Sequence, residues 1–135
     1  MNGKNNIAIG FIVMGLFMAY GFLIIYLRDF APNAKEWAES YSVGKHFEAR
    51  LAHVHGNLFA FLNILMGYLL LHFQDKIKNT KIISWLALTG LLMPIGILAE
   101  IYLGLPPYLV LVGATAMTVS VVWMGISFLK FKTKA

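Results

Sequence analysis

The stretch Arg50-Leu51-Ala52-His53-Val54-His55-Gly56-Asn57 opens an apolar run that continues to Phe73. At ~1.5 Å per residue, a helix over this run is long enough to cross a hydrocarbon core of ~30 Å, so it predicts a membrane span. Two imidazoles and the amides of Asn57 and Asn63 then lie where a lipid-spanning helix normally carries hydrocarbon. Such polar groups are costly unless something binds them, which makes this segment the centre of a functional hypothesis.

Three further apolar runs are long enough to span a membrane. Of the 135 residues, 59% are hydrophobic and only 13% are charged, a balance that a water-soluble domain of this size does not need. We predict an all-α integral membrane protein, a single antiparallel up-down four-helix bundle over residues 1–135, with helices at about 7–28, 46–73, 82–103 and 108–130. The first run is longer than the apolar core of a signal peptide, and no clear small-x-small cleavage site follows it, so we expect it to be retained.

Two local features shape this bundle. Asn33-Ala34-Lys35-Glu36 has the spacing of a helix N-cap with its reciprocal carboxylate, and the interface-loving aromatics Trp37 and Tyr41 follow it. They predict a short interfacial helix at about 34–41, lying on the outer membrane surface between the first two spans. In the third span, Pro94 predicts a kink because proline removes a backbone hydrogen bond.

The formal net charge of +5 reflects topology rather than nucleic-acid binding, since the basic residues cluster on one side of a four-span chain. The other side balances Arg28, Lys35, Lys45 and Arg50 with acidic residues. By the positive-inside rule, both termini lie in the cytoplasm, the histidine pair lies at the external face, and the protein is a multi-pass protein of the cell inner (cytoplasmic) membrane. The clustered lysines are Lys4, Lys76, Lys78, Lys81, Lys130, Lys132 and Lys134.

The chain has no cysteine, which excludes disulfides, iron–sulfur clusters, thiol catalysis and covalent haem attachment. On the predicted second span, His46, Arg50, His53 and Asn57 share one helical stripe. His55 lies ~200° from His53 around the same helix, so a regular helix cannot bring both imidazoles to one metal ion.

Counting inward from the external end of each span places a glycine on every helix in the layer of His53. Such a layer would leave room for the edge of a flat cofactor between the helices. Glu100, the one carboxylate well inside an apolar segment, falls at the same depth. The four glycines are Gly21, Gly56, Gly96 and Gly113.

The segment His53-Val54-His55-Gly56-Asn57-Leu58-Phe59-Ala60 resembles the H-x-H-x-N-L-x-G signature of small membrane relatives of haem–copper oxidase subunit I, in which a histidine at the positive side of the membrane is an axial ligand of low-spin haem. Tyr26-Leu27-Arg28-Asp29-Phe30 is similar to the Y-x-R-x-F that closes helix 1 in small four-helix proteins of this kind. Arg50 also fits the R-x-x-H-x-N arrangement of nitric oxide reductases, with His55 at the asparagine position, so either histidine is a candidate ligand.

The resemblance implies non-covalent haem b near the external face, with iron ligated by His53 or His55. Arg50 and Arg28 would suit the haem propionates, since guanidinium pairs bidentately with carboxylate. Asn57 and Glu100 are candidate partners for the second imidazole nitrogen. Three alternatives stay open: copper in place of haem, histidines that only bond to backbone or headgroups, and a Glu100 that pairs with Arg50 or Arg28. His46 is expected to face solvent.

No histidine follows His72, so the later-helix ligands of an oxygen- or nitric oxide-reducing site are absent and no catalytic residue is predicted. We expect a cytochrome b-like protein for electron transport or for redox or gas sensing. Its iron is then five-coordinate or shares ligands across a homodimer. The other hypotheses are a cofactor-free accessory subunit of a respiratory-chain complex, and a small proton or solute path through Arg50, His53, Asn57 and Glu100.

Overall fold

A computed structural model of the chain describes residues 3–131. It contains six α-helices and, over that range, no strand; four segments are long and apolar enough to cross a membrane, and α4 and α5 together form one of them. The predicted all-α membrane bundle is confirmed. Lys132 and Lys134 of the predicted basic tail lie outside the described residues. The helices are α1 Gly3–Asp29, α2 Ala34–Glu39, α3 Lys45–His72, α4 Thr80–Gly90, α5 Leu92–Leu103 and α6 Tyr108–Leu129.

The longest helix pair is α1 and α3, which run antiparallel in close contact. Small residues allow this approach: a Cβ added to Gly10 would lie 2.8 Å from the Ala60 carbonyl oxygen, and one added to Gly67 would lie 2.5 Å from the Gly3 carbonyl oxygen. The Phe17 ring fills the notch at Gly56 further along the same seam. In lipid, where apolar burial drives helix association weakly, such small-residue seams give close van der Waals packing.

The third span is divided at Leu91, as the position of proline predicts. Pro94 has no backbone N–H to donate to the carbonyl of Gly90, and its ring crowds that carbonyl. The helix therefore ends at Gly90 and restarts at Leu92. On the far side, α6 packs antiparallel against α4 and α5, with the backbone of α6 close to Gly96 and the backbone of α5 close to Gly113.

The short helix α2 forms where it was predicted, but its expected capping box does not. Asn33 makes no side-chain cap hydrogen bond. The end of α2 is joined instead to the start of α3 through Ser40, whose hydroxyl donates to the Trp37 carbonyl at 2.8 Å and accepts from the His46 backbone N–H at 3.2 Å. Trp37 itself is buried against α1, α3 and α5 rather than lying at the surface.

Three fully buried polar side chains join α1, α3 and α4 in the opposite half of the bundle. The Asn6 amide donates to Asn63 Oδ1 and to the Ser84 carbonyl, both at 3.0 Å, and the Ser84 hydroxyl donates to Asn6 Oδ1. Asn63 in turn donates to the Ala87 carbonyl at 2.8 Å. From the sequence, Asn63 was a polar group expected to need a bound ligand. Its hydrogen bonds are made instead by neighbouring helices.

Candidate functional site

A groove of about 480 Å³ lies between α1 and the first half of α3, at the end of the bundle that carries α2. We call it the α1–α3 groove. Its volume falls within the ~300–1,000 Å³ typical of small-molecule sites. Four predicted site residues meet there, Gly21, Arg28, Arg50 and His53. The remaining lining residues are Met18, Phe22, Ile24, Ile25, Tyr41 and His46.

The imidazole of His53 is held in one orientation by the backbone of α1. Its Nδ1 lies 2.8 Å from the Phe17 carbonyl oxygen. A carbonyl can only accept, so Nδ1 carries a proton, and in the neutral form of the ring this tautomer leaves the lone pair on Nε2. Among residues 3–131, no group hydrogen-bonds to Nε2. This arrangement is typical of a metal-ligating histidine, whose second nitrogen donates to a carbonyl or carboxylate.

Gly21 makes this orientation possible. A Cβ at this position would lie 2.7 Å from His53 Cε1, closer than real Cβ contacts allow, and 3.2 Å from Nδ1, which is already a tight contact. Gly21 stands one helical turn after Phe17 on α1, directly beside the carbonyl that His53 reaches. The glycine is therefore needed as space for the imidazole itself.

His55 lies on another face of α3 and does not line the groove. Its Nδ1 is 2.9 Å from the carbonyl of Leu51 on its own helix, and its ring meets Phe59 edge-on at 6.2 Å between centroids. Nδ1 again donates, so in the neutral form of the ring the lone pair is on Nε2. As predicted from the helical period, the two histidines point in different directions.

The two arginines of the groove differ in their electrostatic environment. Arg28 forms a bidentate ion pair with Asp29, at 2.8 and 2.6 Å. Arg50 has no carboxylate partner among the described residues; its guanidinium carbon lies 3.9 Å from the centre of the Tyr41 ring, a cation–π contact. The groove therefore presents one cation that nothing on the described chain neutralises.

Asn57 and Glu100 do not occupy the positions expected of them. The Asn57 amide donates to the carbonyl of His53 on its own helix at 2.9 Å, since that carbonyl is one turn away. Glu100 lines neither side of the groove, and its Oε1 is buried without a hydrogen-bond partner among residues 3–131. The expected pairing of Glu100 with an arginine is wrong, because Arg28 pairs with the adjacent Asp29 and Arg50 stacks on Tyr41. Of the four residues of the hypothetical proton or solute path, only Arg50 and His53 line the groove.

His46 is the functional candidate that sequence reasoning missed. It was expected to face solvent, yet it is 2% exposed and lines the groove about two helical turns from His53. Its Nδ1 lies 3.1 Å from the Trp37 carbonyl, and its ring stacks on Trp37 at 5.3 Å between centroids. Tyr41 covers it edge-on. Its place on the His53 stripe was visible in the sequence, but the cover supplied by α2 was not.

Three of the four predicted glycines do not leave room for a ring within this chain. The notch at Gly56 is filled by the Phe17 side chain, Gly113 meets the backbone at Met93, and a Cβ on Gly96 would lie 2.8 Å from the Val110 nitrogen. Their shared depth reflects close helix packing rather than a cofactor slot. Only Gly21 borders the groove.

The described residues contain no group of three or more histidine and carboxylate side chains placed to hold a metal ion. The groove therefore offers the imidazole of His53, the buried imidazole of His46 about two turns away and two guanidinium groups, a set that suits a large anionic ligand better than a bare metal ion. No known protein family, curated protein or solved structure matches the chain.

Proposed function

We propose that the chain is an inner-membrane protein that binds haem b in the α1–α3 groove, for electron transfer or for redox or gas sensing. The observation that carries the proposal is that the Phe17 carbonyl holds Nδ1 of His53, while Nε2 has no hydrogen-bond partner among the described residues, in the same groove as Arg28 and Arg50. A single iron bond and two guanidinium partners match the iron and the two carboxylates of haem b.

Each side chain has a separable part in this proposal. His53 would bind the iron through Nε2, with the Phe17 carbonyl fixing its ring and raising its basicity. Arg50, which has no carboxylate of its own, would pair with one propionate, and Arg28 would share its charge between Asp29 and the other. Haem b, when bound, supplies a one-electron iron couple and, where an axial position stays open, a site for diatomic gases.

We propose that a second copy of the chain supplies the sixth ligand of the haem iron. His46 lies about two turns along α3 and is held against Trp37, and His55 points away from the groove, so neither can share the iron of His53 in the same chain. A two-fold dimer would bring His55 of a second copy to the groove. The spectrum should then be bis-histidine and should lose that character on dilution and in His55→Ala. A monomer that keeps a bis-histidine spectrum would refute the shared ligand.

The membrane topology belongs to the same proposal. The charge bias supports a cytoplasmic location for the chain termini and the α3–α4 loop, and hence an external location for the α1–α3 groove. Haem there would exchange electrons with partners outside the cytoplasm, including a respiratory-chain partner.

The experiment is an absorption spectrum of the protein purified from haem-supplemented cells, recorded oxidised and reduced. We expect a Soret band in the wild type and its loss in His53→Ala. His72→Ala is the matched control, because His72 is exposed at the far end of α3, where its ring stacks on Tyr68 and meets Phe73 edge-on. A wild type without a Soret band, or equal bands in both variants, would reject the proposal.

A further inference from the structure

A second cavity, of about 580 Å³, lies at the opposite end of the bundle between the α3–α4 loop and the end of α6. We call it the lysine cavity. Three ammonium side chains line it, from Lys76, Lys78 and Lys130, together with Asn79, Trp123 and Ser127. It is separate from the α1–α3 groove and has no part in the function proposed above.

The three lysines of this cavity have no ion-pair partner among residues 3–131. No carboxylate lines it, and the only ion pair among residues 3–131 is Arg28–Asp29 at the other end of the molecule. Lys76 is held over aromatic rings, with its Nζ 5.9 Å from the Phe73 centroid and 5.7 Å from that of Phe131. Three like charges at one site repel one another, so an anion bound between them would be stabilised.

The beginning of α4 adds to this field. Asn79 stands at the N-cap position with φ 60° and makes no side-chain cap hydrogen bond. The first backbone N–H groups of α4 are therefore left without a side-chain acceptor, and a helix N-terminus carries partial positive charge. Both effects favour an anionic group beside Asn79.

An apolar groove of about 370 Å³ continues from the lysine cavity along the outer face of α6. The two share Trp123 and Ile126, so they are contiguous. The groove extends over Thr118, Val119 and Val122, three side chains exposed on the membrane-spanning part of α6. A charged cavity that opens into a lipid-facing apolar groove is complementary to an amphiphile, with the cavity suited to its headgroup and the groove to its apolar chain.

We propose that the lysine cavity and the α6 groove together bind an anionic phospholipid, with the phosphate among the three lysines and one acyl chain along Val119 and Val122. A phosphate diester supplies the charge that the lysines lack, and basic pockets between membrane helices are suited to acidic lipid headgroups. The acyl chain accounts for the groove, which a soluble phosphate would leave empty.

The test measures lipid binding to delipidated full-length protein by native mass spectrometry, with phosphatidylglycerol and phosphatidylcholine as probes. At ~1 kcal/mol per lysine, the triple variant K76Q/K78Q/K130Q should bind phosphatidylglycerol roughly 100-fold more weakly than the wild type. The control K4Q/K35Q/K45Q removes the same formal charge from lysines outside the cavity and should bind as the wild type does. Equal loss in both triple variants, or equal wild-type affinity for the two lipids, would overturn the proposal.

A second variant separates a lipid from a free anion. Val122→Phe fills the α6 groove at an exposed position and leaves the lysines intact. It should weaken phosphatidylglycerol binding several-fold, and millimolar inorganic phosphate should displace little lipid from the wild type. Unchanged lipid binding in Val122→Phe, or full displacement by inorganic phosphate, would show a simple anion site and would contradict the bound acyl chain.

Discussion

Replacing Gly21 with alanine tests the geometry of the α1–α3 groove at its tightest point. The new Cβ would lie 2.7 Å from His53 Cε1, whereas ordinary contact begins at 3.4 Å, so the imidazole must move by about 0.7 Å. The His53 Nδ1 to Phe17 oxygen distance of 2.8 Å has little room for that displacement before the hydrogen bond is lost. The variant should therefore release the imidazole from its position.

The expected magnitude follows from two contributions. Losing the hydrogen bond costs about 0.5–1.5 kcal/mol, and forcing a methyl group into a filled site costs about 1–3 kcal/mol. Alanine gains about 0.5–1 kcal/mol over glycine within a helix. The net destabilisation of Gly21→Ala should be about 1–3 kcal/mol, because the helix gain offsets part of the loss.

The matched control is Gly15→Ala on the same helix, where an added Cβ meets nothing within 4 Å. It should stabilise the protein by about 0.5–1 kcal/mol. The assay is equilibrium unfolding in mixed micelles, followed by circular dichroism. In a His53→Ala background, Gly21→Ala should become as harmless as Gly15→Ala, since the clashing ring is gone.

Two results would refute this reasoning. If Gly21→Ala is as stable as Gly15→Ala, the imidazole does not lie against Gly21. If the cost of Gly21→Ala persists in the His53→Ala background, the clash is with some other group, and His53 is not the side chain that the glycine accommodates.

Three further predictions address the bundle. Gly113→Ala should destabilise the protein by about 1–3 kcal/mol, because its Cβ would collide with the α5 backbone. The control in the same unfolding assay is Gly125→Ala, whose Cβ meets nothing within 4 Å. Equal stabilities of the two variants would contradict the packing of α5 against α6. Asn63→Leu should cost about 1–3 kcal/mol by removing hydrogen bonds between α3 and its neighbours, a change that mixed-micelle unfolding measures, and an unchanged unfolding midpoint would refute the network. Because the chain has no cysteine, the single variants Asn33→Cys and Lys78→Cys can report the membrane topology. A membrane-impermeant thiol reagent added to whole cells should label Asn33→Cys only. Labelling of Lys78→Cys alone would show the opposite orientation.

The sequence predicted the fold well because membrane spans depend mainly on length and apolar content. The bounds of α3 and α6 agree with the predicted helices to within one residue, and the division at Leu91 follows directly from the missing N–H of Pro94. These features are set by local chemistry. Little of the rest of the chain is needed to anticipate them.

The site was harder to predict because partners across helices are set by rotation and close approach. The sequence placed Gly21 and His53 at one depth, but it could not show that the glycine accommodates the ring or that the Phe17 carbonyl holds it. Gly56 and Gly113 shared that depth for a different reason, helix packing. Counting residues gives depth in the membrane, whereas the direction of each notch depends on tertiary contacts.

His46 and Glu100 illustrate the same limit from opposite directions. From the sequence, His46 was expected to face solvent, but α2 buries it. Glu100 was a candidate partner for Arg28 or Arg50, but Arg28 pairs with Asp29 instead. In both cases a segment close in sequence, α2 for His46 and Asp29 for Arg28, decided the outcome. Short-range competition of this kind is invisible to periodicity alone.

The most direct test of haem ligation by His53 is rescue by free imidazole. In His53→Gly, the lost side chain should leave space beside Gly21, and added imidazole should restore a haem spectrum that the variant lacks on its own. His55→Gly should keep its Soret band without imidazole. Restoration in His53→Gly alone is the result we predict, whereas a full Soret band in His53→Gly before imidazole is added would contradict ligation by His53.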